Sequence, residues 1–78
     1  MTLFNAKTNH KYEIINIDLD VNIKRRLEAL GLTDGTSVAL LHKKRKGSSV
    51  IMVRGTRLAV GRMIAEGIKI KDPSLHSG

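Results

Sequence analysis

The stretch Arg25-Arg26-Leu27-Glu28-Ala29-Leu30-Gly31-Leu32-Thr33-Asp34-Gly35 combines the end of a helix, a stop signal and a turn that leads into a strand. Ile23, Leu27 and Leu30 fall at i, i+4 and i+7, which places them on one face of a helix. Asp20 is suited to the N-cap because its carboxylate can accept from the free amides of the first turn. The spacing therefore predicts a helix over about residues 20–30.

Two glycines shape the chain after this helix. With Gly31 at the left-handed C′ position, Leu32 becomes C″ and folds back against Leu27, as in a Schellman cap. Gly35 supplies a positive φ for a tight turn after Thr33. These signals predict a sharp corner between the helix and the following strand.

Short strands are predicted on both sides of this corner. In the first, residues 12–17, alternation places Ile15 and Ile17 on one face and Ile14 on the other. The almost continuous apolar run of residues 37–42 favours a second strand covered on both faces. Further strands are predicted over residues 49–54, 56–60 and 68–71.

The connections complete a mainly β fold. The segment 43–48 is predicted to be a hairpin tip, and residues 61–66 a short helical turn that Gly67 ends from a C′ position. Five or six short strands joined by tight turns hide their edges best by closing into a small barrel. We expect one domain over residues 1–71 and a flexible C-terminal tail over residues 72–78.

Size and composition limit the possible functions. A chain of 78 residues buries only about 60–65% of its unfolded surface, which disfavours a deep catalytic cleft. Cysteine is absent, so disulfides and thiolate metal sites are excluded. No apolar run approaches the roughly 20 residues that span a bilayer. We therefore expect a cytoplasmic binding module.

Positive charge is concentrated in the second half of the chain. Residues 1–42 carry five basic and five acidic side chains, whereas residues 43–71 carry nine basic ones against Glu66 alone. Such a basic surface predicts an acidic partner: an acidic protein face, an anionic membrane surface or nucleic acid. Composition does not choose among these three.

No catalytic, cofactor or metal site is predicted. The three histidines, His10, His42 and His76, lie in separate segments without a partner at i+3 or i+4, unlike typical metal ligands. No nucleophile–base arrangement or glycine-rich phosphate loop has recognisable spacing. The sequence therefore indicates a protein that is not an enzyme.

Two surfaces are candidates for partner binding. The basic run of residues 43–46 can contact phosphates or remain a solvated loop, and Arg54, Arg57 and Arg62 could join it in one patch. Only Phe4 and Tyr12 are aromatic, which argues against single-strand nucleic acid and RNA binding by base stacking.

The helix stripe offers the second surface. Ile23, Leu27 and Leu30 are most simply core residues. If part of the stripe stays exposed beside the next strand, it forms a cleft for an apolar side chain of a partner.

The central stretch also carries a family resemblance. The pattern Arg-Leu-x-x-Leu-Gly-Leu-x-x-Gly-x-x-Val, which ends at Val38, resembles the signature of the FeoA family of small ferrous iron transport proteins. Residues 50–55, 58–60 and 65–70 are similar to the family's later strands and its final Ala-x-x-Ile-x-Val pattern. One departure is Ala6-Lys7-Thr8-Asn9, where the family commonly has Leu-Lys-Pro-Gly.

The resemblance implies both a fold and a partner. Members of the family are similar to SH3 barrels and are cytosolic partners of FeoB, a membrane transporter of ferrous iron with a GTP-binding domain. It implies a non-enzymatic accessory role in iron uptake that modulates transporter assembly or GTPase activity, with recruitment to the inner face of the membrane. The alternative is a basic nucleic-acid-binding module or a metal-repressor-type SH3-like module. The residues expected to meet the partner are Leu30, Gly31, Leu32, Lys43, Lys44, Arg45, Lys46, Arg54, Arg57 and Arg62.

Overall fold

The computed structural model describes residues 1–73. After a 3₁₀ turn at Leu3–Asn5, the elements follow in the order β1 (Lys11–Ile17), α1 (Val21–Ala29), β2 (Ser37–Lys43), β3 (Ser49–Val53), β4 (Thr56–Val60), α2 (Arg62–Gly67) and β5 (Ile68–Lys71). The predicted helix, short helical turn and strands are all present. No helix in this part of the chain has the length and apolarity to cross a membrane.

The five strands form one antiparallel sheet in the order β4-β3-β2-β1-β5. The mainly β fold is confirmed, but the predicted closure by strand pairing is not, because β4 and β5 remain the two edges of the described sheet. Helix α2 occupies the connection between these two edge strands. The N-terminus covers the free edge of β5, where Met1 accepts a hydrogen bond from the Ile70 amide at 3.0 Å.

The core draws on every strand and on both helices. Its partly buried rim consists of Phe4, Leu19, Ile23, Leu58 and Ile64. Burial of this apolar surface is the main stabilising term for so small a domain. The buried apolar residues are Leu3, Ala6, Tyr12, Ile14, Ile17, Leu27, Leu32, Val38, Leu40, Ile51, Val53, Val60, Ala65, Ile68 and Ile70.

The corner after α1 has the predicted geometry. The Asp20 carboxylate accepts from the Asn22 amide at 3.0 Å, which caps the first turn. At the other end the Leu32 amide donates to the Leu27 carbonyl at 2.9 Å and the Gly31 amide to the Glu28 carbonyl at 3.0 Å. These two bonds, with φ of 101° at Gly31, define a Schellman cap.

The predicted faces of β1 are wrong. Ile14 and Ile17 are both buried, whereas Ile15 is 49% exposed. The pairing of β1 with β5 shifts register between Ile14 and Asn16. A bulge of this kind inserts one extra residue, so strict alternation no longer predicts which side chains face the core.

The prediction for β2 also needs correction. Val38 and Leu40 are buried, but Ala39 and Leu41 are only half-buried, and Ser37 and His42 are exposed. One face of this strand is therefore covered fully and the other only in part. An apolar run of this length does not by itself separate these two environments.

The role predicted for Gly67 is wrong as well. Gly67 is the last residue of α2 and has no positive φ. A Cβ placed on it would lie 2.5 Å from Leu19 Cγ and 2.9 Å from the Asp18 carbonyl oxygen. Glycine stands here because the chain between β1 and α1 packs against it, and the Asp18 amide donates to the Gly67 carbonyl at 2.7 Å.

The predicted tail begins inside the described chain. The Asp72 carboxylate oxygen Oδ2 accepts a hydrogen bond from His10 Nε2 at 2.7 Å, and the His10 ring lies 4.8 Å from that of Tyr12. Residues 74–78, with His76, lie outside the described residues.

Candidate functional site

An apolar groove runs between α1 and the edge strand β4, with α2 at one end. Its volume is about 330 Å³. We call it the α1–β4 groove. It is lined by Ile23, Arg26, Leu27, Leu30, Leu58, Ala59, Val60 and Ile64.

Each wall of the groove is the apolar face of one element. On α1 the three residues of the stripe differ in solvent exposure: Leu27 is buried, Ile23 is half-buried and Leu30, the C-cap residue, is 53% exposed. On the opposite wall Leu58 pairs with Ile51 of β3 and is half-buried. The stripe is thus partly core and partly surface. A cleft for a partner's apolar side chain was predicted if part of the stripe stays exposed, and the structure contains such a cleft.

The groove offers one charge in an otherwise apolar lining. Among the lining residues only Arg26 is charged, and its guanidinium forms no ion pair within the described part of the chain. An apolar side chain entering the groove would lose water contact, and an acidic neighbour could pair with Arg26. The arrangement therefore suits an apolar segment that carries a nearby carboxylate.

The basic run forms a second surface at the β2–β3 turn. Lys44, Arg45 and Lys46 are exposed, and the Lys44 amide donates to the Ser48 carbonyl at 2.8 Å. Arg62 of α2 joins them, because a Cβ at Gly47 would lie 3.3 Å from Arg62 Cβ. We name the set Lys43, Lys44, Arg45, Lys46 and Arg62 the basic tip.

Phe4 connects the basic tip to the N-terminus. Lys43 Nζ lies 4.6 Å and Arg62 Cζ 4.8 Å from the centroid of its ring. At these distances both cations interact with the π-face of the ring. No local sequence pattern predicts this contact, since the three residues are far apart in the chain.

Arg54 and Arg57 lie at the opposite end of β3 from the basic tip. Arg57 pairs with Met52, whereas Ser49 at the other end of β3 pairs with Lys43. The three-residue step from Ser49 to Met52 spans about 10 Å of strand. The expected single patch is therefore divided, and only Arg62 joins the basic run.

Arg54 packs instead on the helix corner. A Cβ on Gly31 would lie 3.0 Å from Arg54 Cδ. Arg54 and Gly55 both have positive φ, which is typical of a two-residue type I′ turn. Arg54 and Gly55 also border a shallower cavity of about 250 Å³ with Lys11, Ser37, Val38, Ala39 and Met52.

The three corner residues expected to meet a partner have different positions. Leu30 borders the groove. Gly31 is half-buried beneath Arg54, and Leu32 is fully buried, so its side chain presents no surface to a partner. Leu32 supports the groove from the core.

Several groove residues were not among those predicted from the sequence. Leu58 and Ile64 were predicted only as strand and helical-turn residues, and Arg26 was noted only as part of the family pattern. The inward alternation of Leu58 and Val60 was the available signal. The position of Leu58 and Val60 opposite α1 depends on the sheet order, which the sequence pattern does not predict.

No metal centre is found within residues 1–73. No group of three or more His, Asp or Glu side chains in this range could hold a metal ion. His10 pairs with Asp72, and His42 lies exposed at the end of β2.

Comparison with known proteins gives one family. The family model described as FeoA domain matches residues 1–72. No curated protein sequence matches the chain significantly.

Solved structures share the fold. The solution structure of the FeoA protein from Chlorobium tepidum is similar with a TM-score of 0.89 and 26% identity, over 100% of this chain and 75% of that one. The crystal structure of Stenotrophomonas maltophilia FeoA complexed with zinc has a TM-score of 0.78 and 28% identity, over 91% of this chain and 89% of that one. It is described as a prokaryotic SH3 domain protein and a candidate ferrous iron transport activating factor.

The same fold occurs in a different functional setting. A manganese-dependent transcriptional repressor matches with a TM-score of 0.79 and 16% identity, over 87% of this chain but only 39% of its own length. At this identity the likeness concerns the fold alone. The SH3-like prediction for the fold is confirmed.

Proposed function

The chain belongs to the FeoA family, which is associated with ferrous iron transport, and from this premise we propose that it is a non-enzymatic accessory protein of ferrous iron uptake. Its proposed partner is a FeoB-type membrane transporter with a GTP-binding domain. Binding takes place on the cytoplasmic side, where it modulates transporter assembly or GTPase activity. The contact is made through the α1–β4 groove.

The observation that supports this proposal is the half-exposed leucine at the groove. Leu30 keeps 53% of its surface exposed beside Leu58 and Ile64, in a cavity of about 330 Å³. That volume accommodates one or two large apolar side chains. Apolar surface that the fold leaves uncovered and encloses on three sides is typical of a protein contact.

Burial of Leu30 in a complex sets the expected strength of the contact. Full burial of a leucine side chain is worth about 1.5–3 kcal/mol. The remaining exposed half contributes about half of that, which corresponds to roughly a three- to tenfold change in Kd. Arg26 adds a charge-assisted contact if the partner segment carries a carboxylate.

The test is a titration of the labelled protein at near-physiological salt. The cytosolic domain of a FeoB-type transporter is added first and the detergent-solubilised transporter second. Leu30→Gln should weaken binding about three- to tenfold, and Arg26→Gln should weaken it less and flatten its salt dependence. GTP hydrolysis by the transporter is followed in the same samples.

Val21 provides a matched control on the same helix. It is 57% exposed but does not line the groove, so Val21→Gln should leave binding unchanged. Equal losses from Val21→Gln and Leu30→Gln would place the contact outside the groove. Absence of saturable binding to either form of the transporter would refute the proposed partner.

A repressor-type role has weaker support. It rests on a likeness in fold at 16% identity that spans only 39% of the repressor chain. Duplex DNA in the same titration tests it directly, because tight and sequence-dependent DNA binding without transporter binding would favour that role.

A further inference from the structure

Five of the fourteen basic side chains of this protein are gathered at one end of the sheet. The basic tip brings Lys43, Lys44, Arg45 and Lys46 of the β2–β3 turn together with Arg62 of α2. Within the described residues, the only acidic group paired with any of them is Glu66, 3.4 Å from Arg62. The tip therefore carries five cations, of which only Arg62 is paired with a carboxylate of residues 1–73.

The turn that presents these cations has a fixed backbone. The Lys44 amide donates to the Ser48 carbonyl at 2.8 Å, and the Gly47 amide donates to the Lys44 carbonyl at 2.9 Å. Lys43 and Arg62 are held at Phe4, whereas residues 44–46 point their charges into solvent. A fixed turn with three free cations suits a diffuse anionic surface better than one fixed carboxylate.

An exposed apolar side chain lies beside this charge. Met63 follows Arg62 in the first turn of α2 and is 74% exposed, the highest value among the large apolar residues of the described range 1–73. It does not line the α1–β4 groove. Basic side chains next to a protruding apolar one are the combination by which peripheral proteins bind the headgroup region of a membrane.

The aromatic residues disfavour a nucleic acid at this surface. The Phe4 ring is already in contact with the cations of Lys43 and Arg62, and Tyr12 is only 2% exposed. The chain contains no other phenylalanine, tyrosine or tryptophan. A base therefore has no free ring on which to stack at the tip.

We propose that the basic tip, with Met63, docks the protein on an anionic membrane surface. This inference rests on the proposed function, since a chain that serves a membrane transporter works next to such a surface. Docking at the tip would leave the α1–β4 groove free for the transporter, because the groove and the tip share no residue. Membrane docking then raises the local concentration of the protein around the transporter.

The test is cosedimentation with vesicles at near-physiological salt. Wild-type protein should bind vesicles of phosphatidylglycerol and phosphatidylcholine in equal parts, and should not bind vesicles of phosphatidylcholine alone. The variant Lys44→Gln/Arg45→Gln/Lys46→Gln should bind the anionic vesicles about 100-fold more weakly, since each cation near such a surface contributes roughly fivefold.

A second triple variant separates local charge from net charge. Lys11→Gln/Arg25→Gln/Lys71→Gln removes the same charge from exposed positions outside the tip, and it should bind more weakly by less than tenfold. Equal losses from the two triple variants would overturn the assignment to the tip. Met63→Gln should weaken vesicle binding a few-fold without changing its salt dependence, whereas Val21→Gln should leave it unchanged.

Two further outcomes would overturn the proposal. The first is wild-type protein that does not bind anionic vesicles. The second is duplex DNA that displaces the protein from the vesicles and binds more tightly through residues 44–46. The proposed function is judged separately with the detergent-solubilised transporter, where no vesicle is present, so either inference can fail while the other stands.

Discussion

Gly31 and Gly67 each lie at the C-terminal end of a helix, but they are glycines for different reasons. Gly31 has a φ of 101° and closes the Schellman cap of α1. Gly67 has no positive φ and ends α2 against Leu19 and the Asp18 carbonyl. The sequence signal is similar at both places, a glycine after an amphipathic segment, and it predicts the correct structure only at Gly31.

The difference lies in how far away the determining contacts are. The cap at Gly31 depends on residues within five positions of it in the chain, whereas Gly67 is fixed by residues almost fifty positions earlier. Local conformation can be read from local sequence. A close approach between distant segments cannot, because nothing in the neighbourhood of Gly67 identifies its partner.

The largest expected effect is at the tertiary glycine. Gly67→Ala should lower the free energy of unfolding by about 3 kcal/mol, because the new Cβ overlaps Leu19 and approaches a backbone oxygen that cannot move freely. Thermal and urea unfolding followed by circular dichroism measure the change. A loss of more than 10 °C in Tm is expected for a domain of this size.

A double variant identifies the cause of this effect. Leu19→Ala in the Gly67→Ala background removes the side-chain part of the overlap and should recover part of the lost stability, although the Asp18 carbonyl stays 2.9 Å away. Strictly additive effects of the two substitutions would show that Leu19 does not determine the requirement for glycine.

The next effect is at the local glycine. Gly31→Val should cost about 2 kcal/mol of stability, because a β-branched residue is strained at positive φ. Gly35→Val is the matched control, since its φ is 86° and no atom within 4 Å meets a Cβ there. A larger loss of stability for Gly31→Val than for Gly35→Val would reflect the contact of Gly31 with Arg54. Arg54→Ala should remove that difference. Wild-type-like thermal unfolding of Gly31→Val would contradict the cap.

The smallest expected effect is at the start of α1. Asp20→Ala should cost about 1 kcal/mol by removing the bond from the Asn22 amide to the carboxylate. Asp18→Ala, two residues earlier in the same turn, should cost less than 0.5 kcal/mol, because its exposed side chain does not cap the helix. Equal losses in urea unfolding would mean that Asp20 acts through general charge rather than as an N-cap.

The candidate site shows the same division between local and distant information. Leu30 was predicted to meet a partner, and the structure places it at the groove, because its exposure follows from its position at the end of α1. Leu58 and Ile64 were not predicted, since the sheet order brings them opposite α1. Arg54 and Arg57 were grouped with residues 43–46 on charge alone, and strand register separates them.

The amino-acid sequence by itself determined the helix and both of its ends, the turn glycines, the mainly β character with five or six short strands, and the charge asymmetry. Each of these depends on side-chain chemistry and backbone preference within a few residues. Only the tertiary structure decided the open sheet, the bulge at Ile15, the contact at Gly67, the apolar groove and the position of Arg62 beside Phe4. These depend on which distant segments pair and in what register, and that choice is made by burial of the whole core rather than by any local pattern.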